Sequence, residues 1–156
     1  MDRISRAQAV VLVVLTLLIA GACGAPDDVT SIRTSLERGR TAVQRGDVAA
    51  LDELIADDYA DGEGRDRRAV LGTTGAWFRQ YPSRHIMTRI LSIDVDGDTA
   101  RAVVIAAVAG ADFENAEGLQ ALDGDVVRMT IDLARRSDAW RVTAATWADA
   151  SPTDLM

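Results

Sequence analysis

The sequence predicts an α+β fold, with three helices packed on one face of a four-stranded antiparallel sheet. Three observations predict it. Apolar residues recur at helical spacing as far as Pro82 and alternate with polar ones after it. Two turn pairs, Asp96-Gly97 and Ser137-Asp138, each divide two alternating runs and so mark two hairpins. Helices and strands are also segregated along the chain, which is the α+β order.

The N-terminus reads as an address. Arg3 and Arg6 precede an apolar run from Ala9 to Ala22 that is broken only by Thr16 and closes on small residues, Ala20-Gly21-Ala22. A basic start, a short apolar core and small residues before a cut site make a secretory signal, here residues 1–22. The run is shorter than the ~20 residues that cross a bilayer comfortably. Cys23, the chain's one cysteine, follows directly, so the segment resembles a bacterial lipobox, with Ala20 where that motif usually has leucine. The resemblance implies that Cys23 is lipidated and becomes the first mature residue, with residues 23–28 as lipid-bearing tether. It implies an exported chain held in a bacterial envelope by a lipid bilayer. Gly24 in place of aspartate resembles an outer-membrane signal, which would face the domain to the periplasm in a Gram-negative cell.

The folded domain is expected over residues 29–150, with 151–156 as a tail. Val29, Ile32, Leu36 and Val43 form the stripe of a first helix that Asp27 or Asp28 can cap and Gly46 stops. Asp47 caps a second, with Val48, Leu51, Leu54 and Ile55 inward, ending at Asp57-Asp58-Tyr59. Residues 60–65 form a polar loop with two glycines. Asp66 caps a third helix with the stripe Val70, Leu71, Thr74, Trp77, Phe78 and Tyr81. Gly72 and Gly75 there point to close packing on a neighbour, and Pro82 ends the helix. Strands are expected over 84–95 and 98–109, then 125–136 and 139–147, with a polar loop at 110–124.

Composition excludes several functions. The chain has 17 basic and 24 acidic residues, a net charge of −7, and an acidic surface repels phosphate backbones, so nucleic acid is not expected as a partner. Every basic residue is arginine, which excludes lysine Schiff-base chemistry. One cysteine and one histidine cannot build a zinc site, so no metal and no cofactor is expected. Asp94-Val-Asp96-Gly-Asp98 lacks the glycine and glutamate spacing of a calcium loop and is explained by the hairpin turn.

Gly46-Asp47 before Leu51 to Tyr59, the loop Asp61 to Arg65, Asp96-Gly97-Asp98-Thr99-Ala100, Ala139-Trp140-Arg141-Val142 and Trp147 together resemble the NTF2-like superfamily, with its SnoaL-like members. The resemblance covers about residues 29–148. It implies a curved sheet wrapped around helices as a cone whose mouth opens on a pocket, used for catalysis in some members and for binding in others. Dimers through the sheet are common in that superfamily, so a homodimer is an expected partner. Its ketosteroid-isomerase pattern needs a tyrosine on the first helix and acids in the sheet, which this chain lacks.

Six residues are candidates for the pocket. His85 at the start of the first strand is a proton carrier near neutral pH, and Asp58 and Tyr59 at the expected rim could act as base and partner. The plainer account has His85 and Asp58 in solvent and Tyr59 packed. Trp77 could line an apolar pocket, or simply pack in the core. On the third strand, alternation sets Val127, Met129, Ile131 and Leu133 on one face and Arg128, Thr130 and Asp132 on the other. Arg128 and Asp132 line the pocket if theirs is the inner face; on an outer face they pair with each other. The preferred function is non-catalytic, a small apolar ligand in the cone or an accessory contact with another envelope protein. The rival is a SnoaL-like enzyme moving protons on an apolar substrate through Asp58, Tyr59 and His85.

Overall fold

The computed structural model describes residues 27–110, 117–118 and 124–155. The signal segment and Cys23 lie outside these, and no helix among the described residues is long and apolar enough to cross a membrane. Helices α1 (Asp28–Arg45), α2 (Val48–Asp52) and α3 (Arg67–Gln80) precede strands β1 (His85–Asp96), β2 (Thr99–Ala109), β3 (Asp125–Arg136) and β4 (Ala139–Asp149). The strands form one antiparallel meander in the order β1-β2-β3-β4.

Each helix start follows from a short acidic side chain. Asp27 accepts from the Thr30 N–H at 2.7 Å, Asp47 from Ala50 at 3.0 Å and Asp66 from Ala69 at 2.8 Å. The second helix is shorter than its stripe suggests. After Asp52 the chain leaves the helix and runs beside the β4 edge: Val142 donates to the Leu54 carbonyl, and Ala56 and Ala60 donate to those of Val142 and Thr143. Leu54 and Tyr59 are both buried although neither lies in a helix, and the Leu54 side chain rests against Gly39 of α1. Of the two glycines in α3, Gly75 approaches Val48 and Gly72 meets nothing.

Ile32 and Leu36 pack on the sheet face made by Val104, Ala102, Ala100, Ile131, Leu133 and Trp140. This fixes the inner face as the one carrying Met129, Ile131 and Leu133. The opposite face is capped at one end by a 3₁₀ turn, Pro152–Leu155, with Leu155 and Ala150 on Ile105, Ala107 and Val126. Residues 151–155 are thus part of the folded body. Extra residues in β1 near Leu91 and in β4 at Thr143 break the ladder register, and such bulges bend a strand.

Helix α1 is tied at both ends. Its first residue, Asp28, accepts from Arg135 Nη2 at 2.5 Å and Trp140 Nε1 at 3.3 Å, near the β3–β4 turn. Its other end meets Arg84, only 8% exposed, which donates Nε to the Val43 carbonyl at 3.1 Å and Nη1 to the carbonyls of Phe78 (2.9 Å) and Tyr81. One guanidinium thus satisfies the last carbonyls of two helices, where the helix dipoles favour a cation. Its charged head also stacks over the Phe78 ring, 4.8 Å from the centroid. Gly46 ends α1 in the left-handed region at φ 69°, and a Cβ there would collide with Arg84.

Replacing Arg84 with methionine strands the carbonyls of Phe78 and Tyr81, leaves that of Val43 with the Gly46 N–H alone, and should cost about 3 kcal/mol of unfolding free energy in urea titrations. Gly46→Ala should cost about 2 kcal/mol, from backbone strain and the displaced guanidinium.

Candidate functional site

Helix α1 crosses the inner face on a diagonal. It starts at Arg135 and Trp140 on β3 and β4, and its C-terminal half lies beside His85–Thr88 at the opposite end of β1. The corner it leaves is at the far end of β3 and β4. Ladder register sets Ile90, Val104, Met129 and Trp147 in one row across the inner face, and Val127 in the next. Val108 belongs to the same face of β2. Val108, Val127 and Met129 are half-buried and Trp147 is 44% exposed, so the corner is apolar and partly open.

A loop closes the β4 side of this corner. Asp61, with a side chain 1% exposed, accepts from the backbone N–H groups of Glu63 (3.0 Å) and Arg65 (2.9 Å) and from Arg65 Nε at 2.7 Å. Arg65 Nη2 also lies 3.1 Å from Glu63. So braced, the guanidinium sits 4.7 Å from the Trp147 ring centroid. Burial alone would raise the Asp61 carboxyl; the Arg65 N–H and guanidinium, with the Glu63 N–H, outweigh it and hold it below the usual carboxylate range. Burial first, and then the charge of Asp61, push the neighbouring Tyr59 phenol up.

The six sequence candidates do not converge. Asp58 is exposed and bonded to Arg136 Nη2 at 2.6 Å, which holds its carboxyl below the usual range. Tyr59 is buried at the β4 edge, 4% exposed. His85 begins β1, at the other end of the sheet from Arg136, and lines a groove of about 380 Å³ with Glu37, Arg40 and Gln44. Trp77 packs against Phe78 and Tyr81 with centroids 5.8 and 5.6 Å apart. Arg128 and Asp132 stand on the outer face, opposite Ile105 and Arg101. Asp132 bonds not Arg128 but Arg101, at 2.7 and 3.1 Å, because Arg101 is its cross-strand neighbour. The pair helps line an open outer groove of about 650 Å³. Among the described residues no group of three His, Cys, Asp or Glu side chains could hold a metal ion.

Sequence reasoning reads Asp61 to Arg65 as a polar loop and as part of the family resemblance, but gives Asp61 and Arg65 no role in the site. An Asp-x-x-x-Arg spacing across two glycines was the only local signal; what buries Asp61 is the distant β4 edge.

A family model for the SnoaL-like domain matches residues 32–145. The chain belongs to the SnoaL-like domain family. Solved structures agree in fold. A proposed dehydratase of the NTF2-like family from Streptomyces avermitilis is 19% identical, with a TM-score of 0.64 over 81% of this chain and 99% of that one. A proposed calcium/calmodulin-dependent protein kinase type II association domain from Thiobacillus denitrificans is 12% identical, with a TM-score of 0.62 over 76% and 94%. Bd1075 of Bdellovibrio bacteriovorus is also 12% identical, with a TM-score of 0.62 over 78% of this chain and 40% of that one. No curated protein matches. At these identities the likeness shows the NTF2-like fold alone, and a SnoaL-like domain takes its function from its own site.

Because the Asp61 pKa is lowered on folding, its contribution is complete above the unfolded value near 3.8 and lost as pH falls through the folded one. The melting-temperature gap between wild type and Asp61→Asn should be constant above about pH 5 and narrow below about pH 4. Thermal melts read by circular dichroism from neutral to acid pH check this.

Proposed function

We propose that this SnoaL-like domain is an exported, lipid-anchored envelope protein that binds a small apolar ligand without transforming it. The apolar corner formed by Val108, Val127, Met129 and Trp147 carries this reading. It offers a greasy, partly open surface on the inner face, as small-molecule sites do. The candidate proton-moving groups do not share one place: Asp58 and His85 are at opposite ends of the sheet, and Tyr59 is buried at its edge beside Asp61. General acid–base work needs such groups within reach of one reacting atom. A second copy would meet the domain on the outer face, where Val103, Thr130 and Ala144 are only partly buried.

The anchor reading rests on the signal-like residues 1–22 and on the position of Cys23. Cys23→Ser should move the protein from the membrane fraction to the soluble fraction; unchanged fractionation counts against lipidation. Native mass spectrometry of the purified protein should find a co-purified small molecule that Met129→Glu removes, since a charge in the corner excludes an apolar guest. An adduct that survives this change would place the ligand elsewhere.

A further inference from the structure

The chain is acidic as a whole, but its first helix is not. Residues 29–46 hold four arginines and one glutamate, so they carry +3 in a chain of −7. On the exposed flank of α1, Arg33, Arg38 and Arg45 rim an open groove of about 500 Å³ shared with α2, over a floor that includes Ala42 and Ala50. Arg33 and Arg45 have no ionic partner among the described residues. Arg38 meets Glu53 at 3.2 Å, in a pair open to solvent on both sides and therefore weak. The acids of the groove are already engaged: Glu37 is held by Arg40 at 2.5 Å, and Asp47 caps α2. Such a rim offers charge-assisted hydrogen bonds to anionic oxygens.

The place of the groove along the chain decides which anion it meets. Four residues separate Cys23 from Asp28, the first residue of α1. Even fully extended, that connection spans no more than about 18 Å, so an anchor at Cys23 keeps the start of α1 within that distance of the bilayer. Two postures satisfy this. Standing on its turn end, the domain brings Asp96, Asp98 and Asp138 to the lipid, while Arg135 and Arg136 there are spent on aspartates. Lying on α1, it holds the sheet behind the helix, because Ile32 and Leu36 pack on that sheet. The rim arginines then run along the headgroups over about 18 Å of helix. An anionic bilayer attracts each exposed arginine and repels the acids of the turns, so both effects select the second posture.

We infer that the exposed flank of α1 is a membrane-contact face, with Arg33, Arg38 and Arg45 on the phosphates of an anionic phospholipid surface. This rests on the anchor reading above and adds the face that meets the bilayer. Arginine footprinting tests it. The full chain is reconstituted into vesicles of phosphatidylcholine, alone or mixed with phosphatidylglycerol, and floated with them. Phenylglyoxal is added, and mass spectrometry reads the rate of modification at each arginine. Arg128, exposed on the outer face and without an ionic partner among the described residues, is the internal standard. On the anionic vesicles the three rim arginines should react roughly tenfold more slowly than on the neutral ones, relative to Arg128, and added salt should remove the difference. Changing Arg33→Gln and Arg45→Gln together should return Arg38 to its rate on neutral vesicles. Both side chains are exposed and unpaired, so an unchanged circular dichroism spectrum is expected of that variant. Equal rates on the two kinds of vesicle overturn the face, and so does a slowing that Arg128 shares. Equal protection by inorganic phosphate on neutral vesicles assigns the groove to a soluble anion and also overturns it. A chain that does not float with neutral vesicles overturns the anchor instead, and its rates on anionic vesicles against the free chain still decide the face.

Discussion

The arrangement of the domain depends on one buried cation. Arg84 reaches the terminal carbonyls of α1 and α3 at once and holds both to the start of β1. No carboxylate among the described residues shares the task, so the compensation for burying this charge comes from backbone dipoles and one aromatic face. Gly46 is the necessary partner, because the space a side chain would need there is occupied by the guanidinium. With one end of α1 fixed by Arg84 and the other by Arg135 and Trp140, the helix has a single diagonal path across the sheet. The open corner at Met129 and Trp147 is what that path does not cover.

What could be read from the sequence is what is decided locally. The three capping aspartates, the left-handed Gly46 and the two hairpin turns depend on neighbours within a few residues, and all were legible. Alternation also divided the two faces of β3 correctly, although it could not say which was inner. That choice came from Ile32 and Leu36, far away in the chain. The errors share one cause. Leu54 and Ile55 fit a helical stripe, but the β4 edge offered their backbone a better partner. Arg128 and Asp132 looked like a pair along one strand, but Arg101 stands directly opposite Asp132 on the next. The bracing of Arg65 by Asp61 was not legible either, since glycines on either side of Glu63 read only as a polar loop.

The polar side chains of this domain are mostly committed to holding it together. Arg101, Arg135 and Arg136 on the sheet each bond an aspartate, and Asp61 fastens its own loop. A chain without lysine makes such pairing efficient, because the guanidinium fork can bond two oxygens in a fixed plane. The cost to chemistry is that few ionisable groups stand ready to titrate near an apolar surface.

The segment from Leu54 to Ala60 has a further effect, on the perimeter of the sheet. By bonding to Val142 and Thr143 it occupies hydrogen-bonding positions on the β4 side that would otherwise template a foreign strand. Among the described residues β1 is left as the edge without a backbone partner. There the irregularity at Leu91 interrupts the run of donors and acceptors halfway along, so an incoming strand meets two short stretches out of phase. Protection against edge-to-edge aggregation is thus achieved differently on the two sides, by cover at one and by broken register at the other.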